Sequence, residues 1–591
     1  MKMKKINVIP LALTALMLGS CSGEESLNLG SGNSVAQGEE GYVSLSLNLP
    51  NVKSPANRAN DSFEDGTAQE YNVKDATLLI FSGASEAEAT FAGAYPLALT
   101  DDGAPDGDNI TTTYHITQKV TQPSSKASDK VYAMVVINGV ASQLLSVSGE
   151  DCSIRNQPLT KGSTKYSDLA GSAYYLSNDD LSKIAGTDNG GCFLMVNAPL
   201  YTSPGGVVSP QGGSVQTLTE INPNNIFSTV DEAEDNPAAN VYVERAVAKV
   251  TVTGNETGTK ADGNVADYTI KGWTLDVTNT SSYLVRNVSD ADWWNLKATG
   301  INDYRFVGAA AVADGLYRTY WGIDPNYSTA GTFATQAGGI PASLKAVGEN
   351  DYCLENTFDL SQMNEDQTTR VIVAAALDLD ADGTPDDFYV LDNNKNSVLD
   401  EAGVIKAVKS AYLANGTVNG LLKDNLNSGE SIGEDDLEVT LDPNVTAVGG
   451  YVTVTEIVIK DASKSKFKNG TIPESLQAAN NDVIIADVNS AHKIAYYKGG
   501  VSYYHVKIKH FGDDLTPWAG GESYGSNDAD FLGRYGVLRN NWYTVDVSGI
   551  KSIGDPEVSE IYGMPDDPDE SWISVTINIL SWAKRSQSVD L

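Results

Sequence analysis

Residues 571–591 read SWISVTINILSWAKRSQSVDL. In an extended chain Ile573, Val575, Ile577 and Ile579 fall on one face, and Ser574, Thr576 and Asn578 on the other. Strict alternation with β-branched residues is the pattern of a half-buried strand, so this stretch must pair with another strand. The simplest partner is its own domain. A second alternating stretch stands near the other end, YVSLSLNL at 42–49, with Val43, Leu45, Leu47 and Leu49 on one face. Nine residues further comes Arg58, in the loop-like run NVKSPANRANDS. Two strands of one pattern, one followed by a cleavable arginine, point to strand exchange between copies. Lys53 is a second, weaker processing candidate.

A chain of 591 residues exceeds what one hydrophobic core supports and divides into two or more domains. Its 54 glycines, 28 tyrosines and short Val/Ile/Thr runs between Asn/Asp/Gly turns indicate an all-β protein. The net charge of −37 excludes nucleic acid as a partner, because phosphate contacts need clustered Lys and Arg. Four cysteines are too few for a disulfide framework. Cys152 and Cys192 are the candidate pair, with Cys353 left free.

The first residues carry an address. Lys2, Lys4 and Lys5 precede a short apolar run at 6–18, the form of a secretory signal rather than of a membrane span. Leu18-Gly19-Ser20-Cys21 resembles a bacterial lipobox, which implies cleavage before Cys21 and lipidation of its thiol. The acidic SGEES after Cys21 is similar to the export tract of surface lipoproteins of the Bacteroides group. Residues 22–40 form a Gly/Ser/Asn/Glu tether.

Strands are expected at 76–81, 131–137 and 193–196, and a long one at 241–254 leading into a second domain. Further strands are expected at 269–277, 370–375, 451–458, 503–508 and 542–547. Residues 404–425 read as helix, split in two by a central Asn-Gly. The run IYGMPDDPDESW predicts a stiff, solvated linker holding the terminal strand away from its own domain.

Taken together, several features of the chain resemble the type V fimbrilins of the Bacteroides group, nearest the major structural subunit of the short (minor) fimbriae. They are the lipobox, Asn57-Arg58-Ala59, VERAVAKVTV (243–252), Lys271-Gly272-Trp273, GVLRNNWYTVDVSGIKSIGDP (536–556), and the Pro/Asp linker with the terminal strand. The linker is shorter than the family leads one to expect, and 378–403 stands out as an insertion. The resemblance implies two transthyretin-like β-sandwich domains with a C-terminal donor strand. Its division is a signal peptide at 1–20, a propeptide at 21–58 with a detachable strand at 42–49, domains at 59–240 and 241–555, and the linker and donor strand at 556–591. It further implies an outer-membrane lipoprotein precursor anchored at Cys21, cut between Arg58 and Ala59 by an arginine-directed surface protease. Loss of the strand bearing Val43, Leu45, Leu47 and Leu49 would open a groove for Ile573, Val575, Ile577 and Ile579 of a neighbour. The partners would be copies of the same chain in a head-to-tail filament, with accessory anchor and tip subunits, in an extracellular fimbrium that supports adhesion.

No Ser–His–Asp or Cys–His arrangement, phosphate loop or distinct catalytic carboxylate pair stands out, so the chain does not read as an enzyme. No cofactor is required. Asp378, Asp380, Asp382, Gly383 and Asp386 match the front of an EF-hand-type calcium loop, but Tyr389 stands where a bidentate Glu belongs. The alternatives are a structural calcium ion and a solvated acidic loop. His115, His492, His505 and His510 read as structural. Two other functions stay open: an anchor subunit that keeps its N-terminal segment, and a surface glycan-binding lipoprotein with Trp293 and Trp294 as its platform.

Overall fold

The computed structural model describes residues 34–586, apart from 50–69, 71, 100–112, 124–125, 127, 187–190, 203–214, 260–266, 289–295, 297–300, 302–304, 312–315, 330, 337, 478–480, 512–514, 517–527, 562, 564, 567–572 and 582–584. Cys21, Arg58, Ala59, Trp293 and Trp294 lie outside the described residues. What is described is mostly β. No described helix is long and apolar enough to cross a membrane.

The first core is built on an eight-stranded sheet. Its strands are β1 (Glu40–Asn48), β2 (Ala76–Gly83), β3 (Thr90–Pro96), β4 (Thr113–Thr121), β5 (Lys130–Ile137), β6 (Met195–Asn197) and β7 (Ala239–Arg245). They run in the order β3-β2-β5-β6-β7-β1-β4, and Thr219–Ile221 pairs onto β5. The continuous apolar runs ATLLIF and VYAMVVI are buried on both faces, which is why they lack alternation. Asn138 ends β5 at φ 59°, and its side chain clamps the neighbouring loops. It accepts from Lys74 N–H at 2.8 Å and donates to Asn72 O and Phe193 O, each at 2.8 Å.

The stretch expected as one long strand at 241–254 is two. β7 ends at Arg245, and β8 (Ala248–Gly254) belongs to a different sheet. Arg245 and Ala248 are thus the last and first residues of strands in two sheets, and the buried Ala246–Val247 step crosses between them. The second core lies between two sheets. One contains β8, β10 (Asn350–Cys353), β13 (Asn541–Ile550) and β14 (Ile573–Ser581), in the order β10-β8-β13-β14, with Arg585–Ser586 outermost. The other runs Thr257–Thr259, β9 (Asp267–Asp276), β11 (Arg370–Asp378) and β12 (Val501–Lys507).

Between β11 and β12 the chain makes a third core. Short strands there support α2 (Glu401–Ala414), α3 (Gly416–Asn425) and α4 (Asp482–Ala491), while α1 (Val230–Asp235) belongs to the first core region. The helical pair breaks at the central Asn-Gly as expected. Asn415 has ψ 130°, and its side chain accepts from Thr417 N–H at 2.9 Å as the cap of α3. This core reaches well beyond 378–403, since Ile484, Ile485, Ile494 and Tyr496 belong to it.

The cysteine expectation is corrected: Cys152, Cys192 and Cys353 are each free and buried. Cys152 and Cys353 thiols are pushed up by burial, Cys152 to about 12. They pack as small apolar side chains.

Candidate assembly site

β1 is an interior strand. It runs parallel to β7, with Leu45 opposite Ala239 and Leu47 opposite Val241. On its other edge it is antiparallel to β4, from Glu40 opposite Thr121 to Asn48 opposite Thr113. Alternation therefore becomes register: Val43, Leu45, Leu47 and Leu49 all point into the first core and are buried. Burial of four such side chains is worth roughly 6–12 kcal/mol, at about 1.5–3 each.

The opposite face is covered as well, unlike the half-exposed strand the pattern suggests. Ser44 and Ser46 are buried, and Ser46 Oγ lies 3.1 Å from His115 Nδ1 on β4. A strap at 222–238 crosses there. Phe227 and Tyr42 exchange backbone hydrogen bonds at 2.7 and 2.9 Å, and Ala238 N–H donates to Ser44 O at 2.8 Å. The strap carries α1, which Thr229 caps by accepting from Glu232 N–H. Gly41 permits this crossing, since a Cβ there would sit 2.7 Å from Val35 and 2.9 Å from Phe227 O.

Among the described residues β4 has β1 as its only strand neighbour in the sheet. Side chains tie it further: Thr121 N–H donates to Tyr95 Oη at 3.0 Å, Thr121 Oγ1 to Glu150 at 2.7 Å and Thr117 Oγ1 to Glu234 at 3.3 Å, and Lys119 pairs with Glu40. β1 thus supplies the pairing for main-chain groups on both β7 and β4.

The terminal strand is not held away from its own domain. β14 pairs antiparallel with β13, placing Val575 opposite Val547, Ile577 opposite Val545 and Ile579 opposite Tyr543. β14 covers the edge of β13 that β8 leaves open, so the main-chain groups of that edge are paired. Of the Pro/Asp stretch at 561–572, Gly563 and Pro565 are exposed, whereas Asp566 is buried, accepts from Thr368 Oγ1 at 2.8 Å and donates its N–H to Met363 O at 3.0 Å; 562, 564 and 567–572 lie outside the described residues.

The two sequence blocks VERAVAKVTV and GVLRNNWYTVDVSG meet in space. Arg245 N–H donates to Asn540 Oδ1 at 3.2 Å, Lys249 stands opposite Trp542, and Lys249 Nζ lies 3.6 Å above the Trp542 ring. Around them sit buried ion pairs that the sequence reading missed. Glu244 and Arg286 form a two-pronged pair at 2.9 Å on each arm, and Arg370 holds Asp276 at 2.7 Å. Lys249 as the one charge in AVAKVTV was the available signal, since a lysine among buried positions demands a partner.

The acidic loop gathers Asp378, Asp380 and Asp382, each offering an oxygen within 4.8 Å of the others. Asp386 does not face them: its Oδ2 accepts from Leu379 N–H at 2.8 Å. Asp378 accepts from the N–H groups of Ala381 and Gly383 at 2.8 Å and of Asp380 at 3.2 Å. Burial raises its pKa, but these donors outweigh it and hold the carboxyl below its ordinary value. Three clustered carboxylates fit a hard cation in kind. The histidines are structural where described. His510 is buried between Tyr543 Oη at 2.8 Å and Tyr320 O at 2.9 Å, and His492 sits 2.9 Å from Asp392.

Residues 495–588, which contain β12, β13 and β14, match the family described as major fimbrial subunit protein type IV, fimbrillin, C-terminal. The chain carries a fimbrillin C-terminal region. The likeness to fimbrilins drawn from the sequence is borne out over this fimbrillin region. No curated protein matches the sequence. Among solved structures the chain is similar to a candidate cell-adhesion protein of Parabacteroides distasonis, at 12% identity and a TM-score of 0.32 over 93% of this chain and 99% of that one. A candidate cell-adhesion protein of Bacteroides eggerthii overlaps at 11% identity and 0.32, over 95% and 100%. A fimbrial assembly protein of Parabacteroides distasonis overlaps at 12% and 0.25, over 57% and 99%. TM-scores this low carry no weight beside the fimbrillin match itself.

Proposed function

We propose that the chain is a structural subunit of a cell-surface fimbria, made as a lipoprotein precursor anchored through Cys21. An arginine-directed surface protease cuts after Arg58 and releases β1. The strand Ile573–Ser581 of one copy then fills the slot between β7 and β4 of the next. Accessory anchor and tip subunits complete the filament.

The observation that carries this reading is β1. An interior strand with a full set of core side chains lies on the far side of Arg58 from the rest of its sheet. Its spacing of four apolar residues recurs at 573–579. While tethered, β1 occupies the slot at high effective concentration and blocks assembly. A head-to-tail contact that does not close on itself yields a filament. The alternatives are an anchor subunit that keeps its N-terminal segment and a surface glycan-binding lipoprotein; a terminal strand paired within its own chain, as β14 is with β13, is what the second expects.

The test is to treat the precursor lacking residues 1–20 with an arginine-specific protease, then sequence the new terminus and image the product. A terminus at Ala59 with filaments, lost on deleting 572–591, supports the shaft subunit. A kept N-terminal segment supports the anchor, and a cut without filaments supports the glycan-binding lipoprotein.

For the Asp378 loop we propose a structural calcium ion held by Asp378, Asp380 and Asp382. Its role is to stiffen the turn that leaves β11.

A further inference from the structure

The chain has ten arginines and thirty lysines, and the fold treats them differently. Arginine is ordinarily a surface residue. Here Arg245, Arg286, Arg305, Arg370, Arg534 and Arg539 are each no more than 4% exposed. The other two whose side chains are described, Arg155 and Arg318, are partly covered, and Arg155 pairs with Asp180. No arginine is exposed among the described side chains. Lysines occupy the open surface: Lys126, Lys161, Lys271, Lys423, Lys468 and Lys498 are all exposed.

The buried guanidinium groups are also tied to main-chain oxygens. Arg305 donates to Asp530 O at 2.7 Å and Leu532 O at 3.2 Å. Arg534 donates to Thr516 O at 2.6 Å, Arg286 to Thr319 O at 3.0 Å, and Arg539 to Leu284 O at 2.9 Å. A protease must take its recognised side chain into its own pocket with several flanking residues extended. For these arginines that requires opening the core, at a free energy near that of global unfolding. Buried pairs explain why arginine serves inside, where its planar fork is needed. They do not explain its absence outside, where arginine and lysine serve equally well.

We infer that the folded body conceals its arginines from the arginine-directed protease that matures it. The inference rests on processing after Arg58 and adds how the rest of the subunit survives it. A lysine-cutting enzyme would meet the exposed turns and fragment the subunit. An arginine-only enzyme meets Arg58 and, near the chain's end, Arg585.

The experiment exposes the folded precursor lacking residues 1–20 to an arginine-specific and a lysine-specific endoprotease, matched on the denatured chain and followed by intact mass. The expected result is cutting by the arginine enzyme at Arg58, with trimming at Arg585 allowed, and an intact body between. The lysine enzyme is expected to fragment that body. Lys161→Arg and Lys468→Arg, conservative changes in exposed turns, should each admit a new arginine cut at least tenfold faster than any in the unaltered body. Cuts at Arg155, Arg318 or the buried arginines as fast as at Arg58 would overturn the inference, and so would full resistance of both variants. Failure to cut at Arg58 would instead overturn the maturation reading, and the same masses separate the two.

Discussion

Glu70 Oε1 lies 2.8 Å from Lys249 Nζ, with both side chains closed to water. Tyr352 Oη donates to the same carboxylate oxygen at 2.8 Å, and Arg245 Nε–H donates to Glu70 O at 3.0 Å. Glu70 stands twelve residues after Arg58, and Lys249 lies on β8, just past the crossing between sheets. The pair therefore ties the segment that follows Arg58 to the junction of the two cores.

Removing one partner leaves the other charge buried. Glu70→Ala or Lys249→Ala is expected to cost about 3–5 kcal/mol in chemical denaturation. The double change Glu70→Leu with Lys249→Met should recover most of that loss. A double variant that loses as much as the two single variants summed would mean that the pair is not coupled.

Leu45→Ala should separate precursor from product. In the precursor it deletes a core side chain, for about 2–5 kcal/mol. After cleavage at Arg58 and loss of β1 the same substitution should have no effect on stability. Thermal melts of both forms of both proteins check this.

Glu86 gives a pH signature. Burial lifts its carboxyl from 4.5 to about 7, against the opposing hydrogen bonds from Thr217 N–H at 3.1 and 3.3 Å. Below pH 4.5 it is protonated both folded and unfolded and costs nothing. From 4.5 to about 7 the unfolded chain ionises first, so stability falls with rising pH, and above that the full cost persists. Glu86→Gln is expected to be more stable than the unaltered protein at pH 8, by about 1–2 kcal/mol after screening, and equal to it at pH 4.

Calcium at about 1 mM, the range of extracellular sites, should raise the melting temperature, and a chelator should reverse the gain. Asp380→Asn should abolish the response without unfolding the loop, since the turn's N–H donors converge on Asp378 rather than on Asp380 alone. An unchanged melting temperature in calcium would remove the metal.

The two alternating strands were legible because their side chains alternate within a few residues, and a period of two is a local property of the chain. β1 shows this directly: Val43 to Leu49 became one register against β4 and β7. The placement of β14 was not legible. Its pattern fits any open edge, and which edge is nearest depends on how Val558 and Asp566 pack the preceding segment. The buried ion pairs were hidden for a related reason. Arg539 and Glu355 are 184 positions apart, and Arg370 and Asp276 are 94 apart, so no local window contains both partners. The third core was underestimated because an insertion announces itself by its acidic turn at 378–387, whereas its far boundary at β12 looks like any other strand.

The most direct measurement asks which copy the terminal strand pairs with. Equal amounts of ¹⁴N- and ¹⁵N-labelled precursor are mixed, cut at Arg58, cross-linked through lysines, and read by mass spectrometry around Lys584 and Lys119. Strand exchange predicts Lys584–Lys119 peptide pairs with one light and one heavy member, which should be absent before cleavage. Pairs from the 573–586 segment that are only light–light or heavy–heavy, before and after cleavage alike, would contradict it and leave β14 on β13 of its own chain.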